Sequence, residues 1–166
     1  MRRRPDRPGQ RELPSRKGSS DAPSSTTELV IRNEIPQLAL LSAAIDRIGR
    51  EHALAQKPLV QLQVTLDEIV SNVIKYAWPE GGSHEIRIRI TVDAGKVKVD
   101  VADDGVSFDP RNAAPPGPPP SGQRRRPGGV GLHMVRQLMD AFEYTRIDGW
   151  NHSTLTKQCT IGIHTK

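Results

Sequence analysis

Apolar and polar residues alternate with two different periods along this chain, and each change of period marks an element. Across residues 85–93, Ile86, Ile88, Ile90 and Val92 fall on one side and Arg87 and Arg89 on the other. Residues 96–101 repeat the alternation with Val97, Val99 and Val101, and Asp93-Ala94-Gly95 between them predicts a hairpin of half-buried strands. A shorter run at 28–32 predicts an earlier strand. Elsewhere the period is helical. Pro36 marks a helix start, and Leu38, Leu41, Ala44, Ile45 and Ile48 carry that helix to about His52. A second helix opens at Lys57-Pro58 and runs to about Ala77, with a stripe of Leu62, Leu66, Ile69, Val70, Val73 and Ile74. Trp78-Pro79 and Gly81-Gly82 stop it. A third helix is expected over 131–140, then strands at 142–147 and 154–163. Helices on one face of paired strands predict an α+β two-layer sandwich.

Two stretches carry neither period. Residues 1–27 are rich in Arg, Pro, Ser and Gly and almost free of large apolar groups, so a disordered tail is expected, with its arginines acting as solubilising charge. That leaves one domain over 28–166. Residues 109–127 hold seven of the fourteen prolines (Pro110, Pro115, Pro116, Pro118, Pro119, Pro120 and Pro127) and the run Arg124-Arg125-Arg126. So long a segment inside a small domain is expected to be a lid or an insert.

Charge changes the picture less than the total suggests. Residues 1–28 hold seven basic side chains and four acidic ones, which is +3 of the net +5, so the remaining 138 residues carry only +2. A nucleic-acid binder needs a basic face on the folded part, and none is evident, so that class is set aside. No run of about 18 apolar residues is present, which argues against a membrane span, and the basic N-terminus lacks the apolar segment of an export signal. Cys159 is the lone cysteine, which excludes an intrachain disulfide and a Cys-rich zinc site and fits a reduced, cytoplasmic setting.

Three islands carry candidate chemistry. In Asp67-Glu68-Ile69-Val70-Ser71-Asn72, Glu68 and Asn72 lie four apart and Lys75 three beyond, all on one helical stripe. A carboxylate can take a proton from a nucleophile, and a carboxamide oxygen can ligate Mg²⁺. Alone, the stripe reads better as a solvated polar face. In Asp103-Asp104-Gly105, placed just after a strand end, an ionised Asp103 could accept from an exocyclic amine while Gly105 admits a flat ligand closely. Alone, it is equally an Asp-Gly turn. In Gly128-Gly129-Val130-Gly131-Leu132, a glycine cluster opens a helix whose free N–H groups favour phosphate. Alone, it is equally a flexible loop end, and His133 beside it reads better as a helix-surface residue. Neither a P-loop nor a dinucleotide fingerprint is present. Separately each bland reading holds; the conjunction of base, metal ligand, amine acceptor and phosphate cradle predicts an ATP site.

These islands resemble the asparagine box and the two glycine boxes of the Bergerat-fold ATPases. The nearer resemblance is to the bacterial anti-sigma-factor serine/threonine protein kinases, carried by Asp103-Asp104-Gly105-Val106-Ser107-Phe108-Asp109-Pro110, the Pro-rich stretch, Gly128-Gly129-Val130-Gly131-Leu132-His133 and the following Met134 to Asp140. It covers roughly residues 28–160. It implies a histidine-kinase-like ATPase domain with a mixed, mostly antiparallel sheet, three helices on one face and an ATP lid at 109–127. It further implies Glu68 as general base, Asn72 holding Mg²⁺, Asp103 on the adenine amine with Gly105 approaching it, and Gly129, Val130, Gly131 and Leu132 along the phosphates. Lys75 is implied as a phosphate contact and Thr154 as a water-mediated adenine contact. Ser107 departs from the pattern, standing where many relatives have a second glycine. The implied partners are an anti-anti-sigma antagonist that is phosphorylated and a sigma factor that is sequestered, with the kinase as a homodimer. The alternative is a catalytically silent, ATP-gated protein-binding module.

Overall fold

A computed structural model describes residues 24–109 and 129–159, the side chains of 129–133 excepted. The strands are β1 (Ser25–Arg32), β2 (Glu85–Asp93), β3 (Lys96–Asp103), β4 (Ala141–Ile147) and β5 (Trp150–Gln158). The helices are α1 (Leu38–Glu51), entered through a 3₁₀ turn at Ile35–Gln37, α2 (Gln56–Tyr76) and α3 (Gly129–Leu138). The spatial strand order is β1-β2-β3-β5-β4. Every one of these ladders is antiparallel, so the described sheet lacks the parallel component that "mixed" implied.

The apolar alternation does what its period requires. Ile86, Ile88, Ile90, Val92, Val97, Val99, Val101 and Leu155 point to one face of the sheet and are almost completely buried. Leu41, Ile45 and Ile48 of α1 and Leu62, Leu66, Ile69 and Val70 of α2 close that core from the other side. α2 packs against both α1 and α3. The opposite face has no helix among the described residues. It is held by polar pairs: Arg89 Nη2 lies 2.9 Å from Glu28 Oε1, and the Arg87 guanidinium sits 4.4 Å over the Trp150 ring.

Two hairpins fix the register. At Ala94-Gly95 the φ angles are 46° and 76°, and at Asp148-Gly149 they are 50° and 84°. Both central residues being left-handed is the turn geometry that matches strand twist. The second hairpin makes Arg146 face Asn151 and Ile147 face Trp150. β5 lies between β3 and β4, so its first residues pair with the last residues of β3.

Several boundaries differ from the sequence expectation. β1 begins at Ser25 rather than 28, because β2 offers ladder partners as far as Val92 and threonines fit a pleated strand. This shortens the expected tail, of which residues 1–23 lie outside the described residues. β3 runs on through Asp103, and α3 opens at Gly129 rather than Gly131. β5 begins at Trp150 rather than 154, because its early inward positions, Asn151 and Ser153, are polar and hide the alternation; it ends at Gln158, and residues 160–163 of the expected strand lie outside the described residues.

Leu62 is fully buried and Val64, two residues on, is exposed. Leu62→Ala is therefore expected to cost about 2–5 kcal/mol in urea unfolding. Val64→Ala should stay within about 0.5 kcal/mol of the parent. Equal losses would mean that α2 does not present the face described.

Candidate functional site

The last turns of α2, the end of β3 and the start of β5 enclose a cavity. Its walls include Ile69, Asn72, Val73 and Tyr76 from α2, Asp103 from β3 and Asn151 and Ser153 from β5. Val106, Ser107 and Phe108, on the segment after β3, complete it. The walls are mainly apolar, with a few convergent polar groups, as small-molecule sites are.

Asp103 is the buried charge in this cavity, only 4% exposed. The Gly105 amide donates to its Oδ1 at 3.0 Å and Asn151 Nδ2 donates to the same oxygen at 2.8 Å. Among the described residues no donor reaches Oδ2, which is left to accept from a ligand. Burial raises the carboxyl above its ordinary value of 3.8, and the bonds from Asn151 and Gly105 oppose that rise. Its neighbour Asp104 turns outward instead, where Trp78 Nε1 donates to Oδ1 at 3.1 Å. One acid of the pair faces the cavity; the other anchors the corner below α2.

Gly105 has a different reason from the one expected. A Cβ there would lie 2.5 Å from Ala77 Cβ and 2.6 Å from the Ala77 carbonyl oxygen. The Val106 amide also donates to that oxygen at 2.8 Å. The close approach is therefore made by the end of α2, and Gly105 does not line the cavity. Thr154 is likewise corrected: strand alternation puts it on the helix-free face, where its Oγ1 donates to Asp100 Oδ1 at 3.0 Å. Ser153 is the β5 hydroxyl that meets the cavity.

On α2, Asn72 Nδ2 donates to Glu68 Oε1 at 2.9 Å. Asn72 lines the cavity, and Glu68 stands one turn away. Asn72 Oδ1 has no donor among the described residues, and a carboxamide oxygen of this kind could ligate a hard cation. Lys75 is exposed and outside the lining. Gly129, Val130, Gly131 and Leu132 form the first turn of α3, and their surroundings lie outside the described residues, as does most of the expected lid. Ser107 Oγ lies 3.4 Å from the Tyr144 hydroxyl. Burial pushes the Cys159 thiol up to about 11, so it stays protonated at neutral pH and is no nucleophile.

The residues that sequence reasoning missed sit behind Asp103. Asn151 is 3% exposed, and its Oδ1 accepts from the Tyr144 hydroxyl at 2.7 Å and from Arg146 Nη1 at 2.6 Å. Arg146 Nη1 also donates to the Gly105 carbonyl at 3.0 Å. The dipeptide Asp148-Gly149 was the available signal: a two-residue hairpin there places Arg146 opposite Asn151.

Residues 31–157 match the histidine kinase-like ATPase domain family, and the chain belongs to that family. Its relatives there are protein kinases. The serine/threonine-protein kinase BtrW of Bordetella bronchiseptica is 36% identical over 111 residues, 64% of this chain and 78% of that protein. The serine-protein kinase RsbW of Bacillus subtilis is 29% identical over 124 residues, 72% of each. The same fold appears in the crystal structure of the RsbU and RsbW domains of Rv1364c from Mycobacterium tuberculosis. That match has a TM-score of 0.60 at 16% identity, over 83% of this chain and 33% of that one.

Gly105→Ala should destabilise the fold by about 1–3 kcal/mol in urea unfolding, since the backbone of Ala77 must shift. Asp103→Asn keeps an acceptor for both local donors, so it should fold with unchanged or higher stability at neutral pH. Because the native carboxyl is raised, the parent loses stability relative to this variant as pH climbs from 3.8 through the native value. Thermal unfolding of both proteins across that range checks the sign. A parent that gains stability relative to the variant toward neutral pH would contradict it.

Proposed function

We propose that the chain is an ATP-dependent serine/threonine protein kinase and anti-sigma factor. It phosphorylates an anti-anti-sigma antagonist and sequesters a sigma factor, in a partner-switching pathway. The observation that carries this reading is Asp103: buried, in the wall of a cavity that Asn72 also lines, with two protein donors on Oδ1 and none on Oδ2 among the described residues. An acceptor so placed suits the exocyclic amine of adenine. The kinases among its relatives supply the reaction class.

Asn72 would hold Mg²⁺ through Oδ1, since its Nδ2 is engaged by Glu68. Among the described residues no group of three or more His, Cys, Asp or Glu could bind a metal, which suits an ion held mostly by phosphate oxygens and water. When bound, Mg²⁺ neutralises charge on the phosphoryl oxygens. Glu68 orients the acceptor hydroxyl and takes its proton, while the bond from Asn72 fixes its carboxylate. The first turn of α3, carrying Gly129 to Leu132, supplies backbone N–H groups along the phosphates. No helix in the described residues is long and apolar enough to cross a membrane, and the proposed setting is cytoplasmic. A homodimer is part of the proposal.

Glu68→Ala is expected to retain ATP binding while transfer to the antagonist falls by about 10²–10⁴-fold. Radiolabelled ATP, followed by phosphoserine and phosphothreonine mapping on the antagonist, measures both the activity and the drop. Undiminished labelling by the variant would remove Glu68 from this role. No labelling by the unaltered protein would remove the kinase.

A further inference from the structure

Asn151 has every hydrogen-bonding position filled, and the filling has a direction. Arginine only donates, so the carboxamide atom 2.6 Å from Arg146 Nη1 must be the oxygen. The amide nitrogen then faces Asp103 Oδ1 at 2.8 Å and the Val106 carbonyl at 3.1 Å, both acceptors. Reversal would set oxygen against oxygen at two contacts. With Asn151 and the Gly105 amide both donating to Oδ1, the carboxylate cannot turn without losing two bonds inside a buried site.

We infer that Asn151 and Arg146 are positioning residues that set base selectivity, holding the Asp103 carboxylate with Oδ2 as an outward acceptor so that a 6-amino purine is taken and a 6-oxo purine refused. This rests on the adenine-nucleotide reading of the cavity. An acceptor facing an exocyclic amine makes a bond, whereas the same acceptor facing a 6-oxo group leaves two acceptors opposed. The neighbours of the carboxylate act on its charge in both directions. Burial raises the carboxyl most; the bonds from Asn151 and Gly105 and the charge of Arg146 hold it down, Asp104 adds to the rise, and the α2 residues Ile69, Asn72, Val73 and Tyr76 that line the cavity bring neither a carboxylate nor a cation. Without the Asn151 donor, a proton on Oδ2 becomes easier to hold, and the carboxyl can then donate to a 6-oxo group.

The test is the ratio of ATP to inosine triphosphate affinity, by calorimetry on the full chain. The two ligands share the triphosphate and ribose, so general loosening of the site cancels from the ratio. The unaltered protein should prefer ATP. In Asn151→Leu the ratio should fall by about tenfold, the scale of one misplaced bond to a charged group. Arg146 is exposed, so Arg146→Met should fold even where Asn151→Leu does not, and should lower the ratio several-fold, as about one weaker bond would. Arg146→Lys, which still donates, should restore most of it. Equal loss of both affinities in Arg146→Met overturns the inference and leaves the nucleotide reading standing, as does an unaltered protein indifferent to the base. Failure of the unaltered protein to bind ATP overturns both.

Discussion

Insertion of β5 between β3 and β4 is the arrangement on which the site depends. It brings Asn151 against Asp103, 48 residues apart in sequence, in a backbone ladder that continues to Lys96 and Gln158. The side chains inherit their geometry from that ladder. Asp103 occupies the last position of β3, where the apolar row of Val97, Val99 and Val101 gives way to a single charge on the same face. The strand that buries the hydrophobic row thus also buries the carboxylate, and the cost of doing so is met by donors from the neighbouring strand and the following turn.

α2 contributes in two ways. Its buried stripe closes the core, and its last turns form a wall of the cavity that Asp103 also lines. The corner that follows β3 is clamped to that helix end through the Val106 amide and the bare Cα of Gly105. Asp104 adds a third attachment through Trp78, whose ring stacks on His84 with centroids 4.6 Å apart. The segment that leads out of the cavity therefore departs from a fixed point.

Much of this could be read from the sequence, because strong periodicity and burial coincide. The hairpin of β2 and β3 and the stripe of α2 follow from apolar spacing alone; Glu68 and Asn72 fall on α2, and Asp103 is the last residue of β3. What could not be read has a common cause. Periodicity sees only apolar residues, so β5 was found late: its first inward positions are Asn151 and Ser153, which serve the cavity. Thr154, which the resemblance implied as an adenine contact, stands one residue out of phase with the inward Ser153. Gly105 shows a second limit, since glycine signals a close approach without naming what approaches.

Among the features described, the turn at Asp148-Gly149 has the widest reach. It is exposed and touches nothing in the cavity, yet its length decides which β5 side chains look inward. Inserting one residue while the two-residue turn is kept would shift β5 by one position against β4, putting the Trp150 indole where the carboxamide belongs. Two solvent-facing residues in the left-handed region thus act as a molecular ruler for chemistry carried out elsewhere.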